Sequence, residues 1–364
     1  MMMIPLRALM HYRSGFFILV FIFILAVLFL EFRVQDIHDE QDKQLRDALD
    51  NSHMRHLQKV PTPLVADELY QQKPMYPLII YNRVPKTGST SFTSLPYTLC
   101  ETLKYHVLHV CTEYHLQVLS VQDQIGIVRN ISNWSAKQPG FYHGHFAYID
   151  FPRFGSHVNP IYINMVRSPL DRFISYYYFL RHGDDFRPSL SRHRARSNET
   201  LDECVMRQGF DCAPERMWIQ VPFFCGHNPE CWKPGSRWAL EQAKSNVVNK
   251  YFLVGVTEHM EEFVAMLEAS LPSFFKGAHH IFMKGEKSHL RKTVQKLNPL
   301  PYTLDTLKNN DVWTVEDKFY RFVLETFRTN AARSLIIEKD HSIRTVKQQF
   351  SFEKIRPWKR SSNG

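Results

Sequence analysis

A chain of 364 residues with 44% hydrophobic and 13% aromatic content is too apolar to stay disordered, and is long enough to bury one large core or two small ones. Its net charge of +9 at pH 7 and pI near 9.2 favour a polyanionic partner, whether nucleic acid, an anionic membrane or an acidic polysaccharide. Charge alone does not choose among these, and a solvated basic surface is the plain alternative.

Residues 1–15 read as a cytoplasmic tail, and residues 16–32 as a transmembrane signal anchor. The run Phe16–Leu30 has no charge inside it, is extended by Gly15 and Phe32, and is long enough for a thin bilayer. Arg7 and Arg13 precede it, while Asp36, Asp39, Glu40 and Asp42 follow, which places the N-terminus in the cytosol and the rest of the chain in the lumen. A cleaved signal peptide is the competing reading, but no small-x-small site follows the run at Glu31-Phe32-Arg33-Val34. Residues 33–73 are polar and charged, with Pro61 and Pro63 inside and Pro74 beyond, and read as a stem. Residues 74–364 read as the lumenal domain.

From Tyr76 onward, short apolar runs alternate with amphipathic stretches. Leu78–Tyr81, Ile161–Val166 and Phe252–Val256 are β-branched and apolar on consecutive residues, the pattern of buried parallel strands. Helices are expected over Ser168–Arg181, Arg237–Asn249, Met260–Leu271 and Val315–Ala332. This alternation predicts an α/β fold, a parallel sheet flanked by helices.

The segment Leu78–Phe92 reads as strand, turn and helix, with Pro85-Lys86-Thr87-Gly88-Ser89-Thr90-Ser91 at the turn. A loop opening a helix offers free N–H groups and the positive end of the helix dipole to an anion. Gly88 is expected to let the backbone approach the ligand, the three hydroxyl residues add donors, and Lys86 adds a cation. The lysine precedes the glycine, so this is not a Walker A loop; an ordinary Ser/Thr-rich helix cap is the other reading. A second strand ends at Arg167 and leads into Ser168-Pro169, where the proline suits the first helical turn, with Ser175 nearly two turns in. Arginine and serine so placed hold a second phosphate, unless Arg167 merely pairs with Asp171.

His143-Gly144-His145 needs separate weighing. In an extended segment residues two apart face the same way, so both imidazoles are expected in one cleft. Histidine is the natural base near neutral pH. A His-x-His zinc pair is the chemical rival, but no third ligand cluster accompanies it, and two satisfied core histidines are the third possibility.

Six cysteines in a lumenal chain suggest disulfides. Cys204 with Cys212 and Cys225 with Cys231 are spaced to close short loops; Cys100 and Cys111 either pair or stay free. Sequons stand at Asn130, Asn133 and Asn198.

Two strand-turn-helix anion sites in one α/β domain resemble the P-loop-like sulfotransferases that use 3′-phosphoadenosine-5′-phosphosulfate (PAPS). The strings RVPKTGSTSF, KYHVLH, FYHGHFAYIDF, SYYYFLRHGDD, DCAPE, PFFCGH, ECW, GSRWA, FLVGVTE, KSHLRK and FEKI, in this order from about Pro77 to Pro357, resemble the heparan sulfate 2-O-sulfotransferase family. Its cysteine framework is similar to the two pairs above. The resemblance implies a Golgi single-pass type II enzyme, a homotrimer, acting with PAPS and without metal on the 2-hydroxyl of a uronic acid, iduronate, in heparan sulfate. A dermatan or chondroitin uronate is the nearest alternative acceptor.

By the same resemblance His145 is the base, His143 its partner, and Lys86 the residue at the leaving group. Lys86, Thr87, Gly88, Ser89, Thr90, Ser91, Arg167, Ser175, Phe282, Ser288, Thr293 and Lys296 stand at cofactor positions. Arg83, Tyr97, His109, Tyr176, Asp184, Arg187, Arg291 and Lys354 stand at acceptor positions, Lys354 across a subunit interface. The chain departs from the family pattern at Gly88, where the vertebrate enzymes carry alanine, at Ser94 for an asparagine, and at Phe282 for a tyrosine. A kinase would need magnesium-holding carboxylates beside the loop, and none stands there. A catalytically dead glycosaminoglycan-binding protein could lose His145 or Lys86, and both are present.

Overall fold

Strand β1 (Leu78–Asn82) is buried on every residue, the condition of a strand covered on both faces. It occupies the middle of a five-stranded sheet with β2 (His106–Val110), β3 (Gly140–Gly144), β4 (Ile161–Val166) and β5 (Tyr251–Val256), in the order β2-β3-β1-β4-β5. All four pairings are parallel. In this computed structural model the described residues are 77–113, 116–185, 194, 197–285, 293, 295–338, 342–346 and 350–351. They fall in the second of the two units into which the chain divides, Met75–Gly364. The tail, anchor and stem expected over 1–73 lie outside them, as do Arg187, Ser288, Arg291 and Lys354. Among the described residues no helix is long and apolar enough to cross a membrane.

The helices in chain order are α1 (Ser89–Leu103), α2 (Val121–Asn133), α3 (Pro169–His182), α4 (Leu201–Met206), α5 (Gln220–Cys225), α6 (Arg237–Asn249), α7 (Met260–Ser270), α8 (Pro272–Phe275), α9 (Ala278–Met283), α10 (Pro301–Lys308) and α11 (Asp311–Ser334). The expected α/β class and the three expected strands stand. Two further strands, β2 and β3, were not called from periodicity: β2 is a partly exposed edge, and β3 has a glycine at each end. Helix α11 begins four residues earlier than Val315, because the Asn310 side chain caps it by accepting from the Trp313 N–H. Helices α6, α7 and α11 pack on β5, and β6 (Leu335–Ile337) with β7 (Ile343–Thr345) forms a separate antiparallel pair.

The topology positions the site. From β1 the chain goes through α1 to β2 on one side of the sheet, whereas β4 and β5 extend the other side. The carboxyl ends of β1 and β4 therefore flank the switch point where such sheets bind ligands. Buried polar groups stitch this region together. Asn164 donates to the Asn82 carbonyl at 2.8 Å, and the Tyr251 hydroxyl donates to Asn82 Oδ1 at 2.9 Å. Cys204 is bonded to Cys212 and Cys225 to Cys231, while Cys100 and Cys111 are free thiols.

Candidate active site

Beyond β1 the loop Arg83–Gly88 turns sharply into α1. Lys86 and Gly88 both take left-handed backbone angles, φ 68° and 72°, a conformation that a lysine adopts only under constraint. The α1 N-terminus has no side-chain cap and no acid in its first turn, so its free N–H groups and dipole are left for an anion. Pro85, Lys86, Gly88, Ser89, Thr90 and Ser91 form one wall of a cavity of about 180 Å³. Lys86 Nζ lies 4.4 Å from the Phe179 ring centre, an aromatic face that favours the cation.

The opposite wall comes from β4 and α3: Arg167, Ser175, Tyr176 and Phe179. Arg167 does not rest on Asp171. Its Nη1 donates to the Lys86 carbonyl at 3.4 Å, tying the turn after β4 to the turn after β1. The Arg167 peptide is clamped by Gln220, whose Oε1 accepts from its N–H and whose Nε2 donates to its carbonyl, each at 2.9 Å. Thr293 spans the two loops: its hydroxyl accepts from Lys86 Nζ at 3.0 Å and meets Ser175 Oγ at 3.1 Å. Lys296, also beyond that loop, has its pKa lowered by desolvation and then by Arg167.

His145 lines the same cavity. Its Nδ1–H donates to the Arg83 carbonyl at 2.8 Å; a carbonyl only accepts, so Nε2 keeps its lone pair. The expectation that both imidazoles share one cleft is overturned. Strand β3 ends at Gly144, the alternation stops there, and His143 is 3% exposed rather than part of the cavity wall. Burial, then Arg83, His109 and His145, lower the His143 pKa to about 3. It shares a hydrogen bond with the Tyr97 hydroxyl at 2.9 Å and stacks on His109 with ring centres 5.0 Å apart. Arg83 Nη2 donates to His109 Nε2 at 3.4 Å. Tyr97 and His109 are thus gathered around the buried His143, with Arg83 on His109, while Tyr176 shares the cavity wall with His145.

Three expected residues stand elsewhere. Thr87 is buried and its hydroxyl donates to the Val84 carbonyl at 2.9 Å, so it shapes the loop rather than facing the cavity. Phe282 packs on the core from α9, outside the cavity wall. Asp184 is buried, with its backbone paired to Thr293. At Gly88 the missing side chain points at α7, not at a ligand: a Cβ would lie 2.5 Å from Met260 Cε. Asn130, Asn133 and Asn198 are exposed. Among the described residues no group of three or more His, Cys, Asp or Glu is placed to hold a metal ion.

Sequence reasoning missed Phe179, Gln220 and Thr257. Phe179 follows Ser175 by one helical turn, a spacing that could have found it. Nothing in the sequence marks Gln220, or Thr257, whose hydroxyl lies 3.0 Å from both the Thr87 and Val166 carbonyls.

A model of the sulfotransferase family matches residues 72–310. The chain is 48% identical over 338 residues to heparan sulfate 2-O-sulfotransferase 1 of Homo sapiens, covering 92% of this chain and 94% of that one. The Gallus gallus protein of the same name is 48% identical over 341 residues, 93% and 95% of the two chains. The heparin sulfate O-sulfotransferase of Drosophila melanogaster is 50% identical over 280 residues, 77% and 79%. Identity of this extent decides the assignment: the chain belongs to the sulfotransferase family, among the heparan sulfate 2-O-sulfotransferases.

Proposed function

We propose that this chain transfers the sulfuryl group of PAPS to the 2-hydroxyl of a uronic acid, iduronate, in heparan sulfate. The single observation that carries the reading is His145 on the wall of the cavity that also holds Lys86 and the α1 N-terminus, with its Nδ1–H given to the Arg83 carbonyl so that in the neutral ring Nε2 is the basic nitrogen. Bound PAPS supplies a sulfuryl group whose leaving oxygen belongs to a 5′-phosphate.

The chain's own groups then divide the work. The N–H groups of Ser89, Thr90 and Ser91 with Lys86 hold the 5′ end and stabilise charge growing on the leaving oxygen, because preorganised donors act strongly away from water. Arg167 and Ser175 hold the 3′-phosphate. Arg83, His109 and Tyr97 receive the acidic acceptor, and His145 Nε2 takes the hydroxyl proton as oxygen attacks sulfur. His143, its pKa lowered to about 3 chiefly by burial, adds no charge of its own behind the base.

The N-terminal run at 16–32 supports a type II anchor in the Golgi membrane, with the catalytic domain lumenal. The family likeness supports a homotrimer.

A dermatan or chondroitin uronate is the second reading. Ser94 donates its hydroxyl to the Ser91 carbonyl at 2.7 Å and so offers the acceptor no amide where the vertebrate enzymes have one. Incubation of the chain with radiolabelled PAPS and desulfated heparan sulfate, dermatan and chondroitin, followed by disaccharide analysis, separates the readings. Label on the 2-position of heparan sulfate uronate is expected. Label confined to glucosamine, or no transfer to any chain, would sink the proposal.

A further inference from the structure

Beside the transfer cavity lies a second one, of about 270 Å³, whose wall includes Pro85 and Tyr176 of the first. Tyr176 and Arg172 sit one turn apart on α3, so this helix carries a residue common to both spaces and, four positions earlier, one that belongs to the second. The remaining wall includes Arg216, Glu215, Trp218 and Trp232.

Two features mark it as built rather than left over. Arg172 is 2% exposed, its Nη2 donates to the Met217 carbonyl at 3.1 Å, and its Nε has no hydrogen-bond partner among the described residues. An unsatisfied donor on a buried guanidinium is costly unless a ligand or water completes it. Both tryptophans are fixed in place. Trp218 Nε1 donates to the Cys231 carbonyl at 3.0 Å and Trp232 Nε1 to the Gly226 carbonyl at 2.9 Å, which ties both rings to the loop closed by Cys225–Cys231. Arg216 is held over the Phe210 ring at 3.9 Å.

Fixed aromatic rings, two guanidinium groups and one carboxylate suit a sugar that bears both an anionic substituent and free hydroxyls. We propose that this second cavity is an acceptor subsite, taking an anionic sugar further along the glycan than the uronate at His145. The assignment rests on the sulfotransferase reading above, and it gives the Cys225–Cys231 loop a role in substrate recognition.

The test is binding, so that it is independent of transfer. Octasaccharides and tetrasaccharides of N-sulfated, O-desulfated heparan sulfate are titrated into the full chain in the presence of adenosine 3′,5′-bisphosphate. Arg216 is exposed, so Arg216→Ala is expected to fold normally, with an unchanged melting temperature. It is expected to weaken octasaccharide binding about tenfold, the loss of one charge-assisted contact, and to leave the tetrasaccharide within about twofold. Arg216→Glu is expected to weaken the octasaccharide further. Unchanged octasaccharide binding in both variants, or an equal loss for both lengths, would overturn the subsite. If the wild type binds the octasaccharide more tightly than the tetrasaccharide but transfers no label, the function proposal fails while the subsite stands.

Discussion

The backbone carbonyl of Arg83 accepts a hydrogen bond from Nδ1–H of His145 at 2.8 Å, while the Arg83 guanidinium donates to His109. One residue therefore sets the tautomer of His145, the proposed base, and reaches His109 on the proposed acceptor side. The base is aimed by main chain, which no substitution at position 83 removes. A side-chain change at Arg83 should weaken acceptor binding before it touches the proton transfer.

Gly88 adopts φ 72°, and a Cβ there would meet Met260 Cε at 2.5 Å. Gly88→Ala is expected to destabilise the chain by about 1–2 kcal/mol through left-handed backbone strain and this contact. Met260 is a flexible side chain, so Gly88→Ala with Met260→Ala should cost less than the sum of the two single changes. Urea unfolding of the four proteins measures the coupling. Strict additivity would show that the methionine moves aside freely.

Gln220 makes two bonds of 2.9 Å to the Arg167 peptide and is itself fully buried. Gln220→Ala should raise the dissociation constant of adenosine 3′,5′-bisphosphate about tenfold, since each lost bond is worth about 1 kcal/mol. The acceptor KM should change less, because the two bonds Gln220 loses both go to the Arg167 peptide. Calorimetric titration with the nucleotide, together with acceptor kinetics, checks the split.

Acid should destabilise the fold in a defined window. His143 and His227 have folded-state pKa values lowered to about 3 and about 4, chiefly by burial. Unfolded, each protonates near 6.5. Below that value the unfolded chain binds protons that the folded chain refuses, so stability is full above about pH 6.5 and falls as pH drops toward 4. At His227 burial is the cause; Nδ1 accepts from the Leu119 N–H at 3.0 Å, while the Nε2–H bond to the Ala147 carbonyl at 3.2 Å works the other way. His227→Gln should therefore lose stability at pH 7.5, and the gap to wild type should narrow at pH 5. Chemical unfolding at both pH values is the check.

How far the sequence reached depended on the kind of signal. Strands β1, β4 and β5 were legible because most of their residues are apolar and buried, Asn82 and Asn164 being the polar exceptions and Phe252 the exposed one. Strand β3 was not, since Gly140, His143 and Gly144 dilute its pattern, although the register Tyr81 to His143 places it beside β1. The anion loop was legible from Lys86 and the hydroxyl residues that follow. The true reason for Gly88 was not, because Met260 lies far along the chain and only packing brings it close. Residue spacing alone did not separate His143 from His145; only the family resemblance named His145 as the base. The strand end at Gly144 separates them, one buried and neutral, the other in the cavity. Gln220 illustrates the remaining limit: a clamp on backbone atoms leaves no trace in residue spacing.

His145 as the proton acceptor is the claim on which the account turns. The most direct measurement pairs calorimetric binding of adenosine 3′,5′-bisphosphate with label transfer from PAPS to desulfated heparan sulfate, for wild type and His145→Ala. The account predicts nucleotide binding within about twofold of wild type and transfer lower by about 10²–10⁴-fold, the range of a lost general base. Full transfer by His145→Ala with intact nucleotide binding would contradict it.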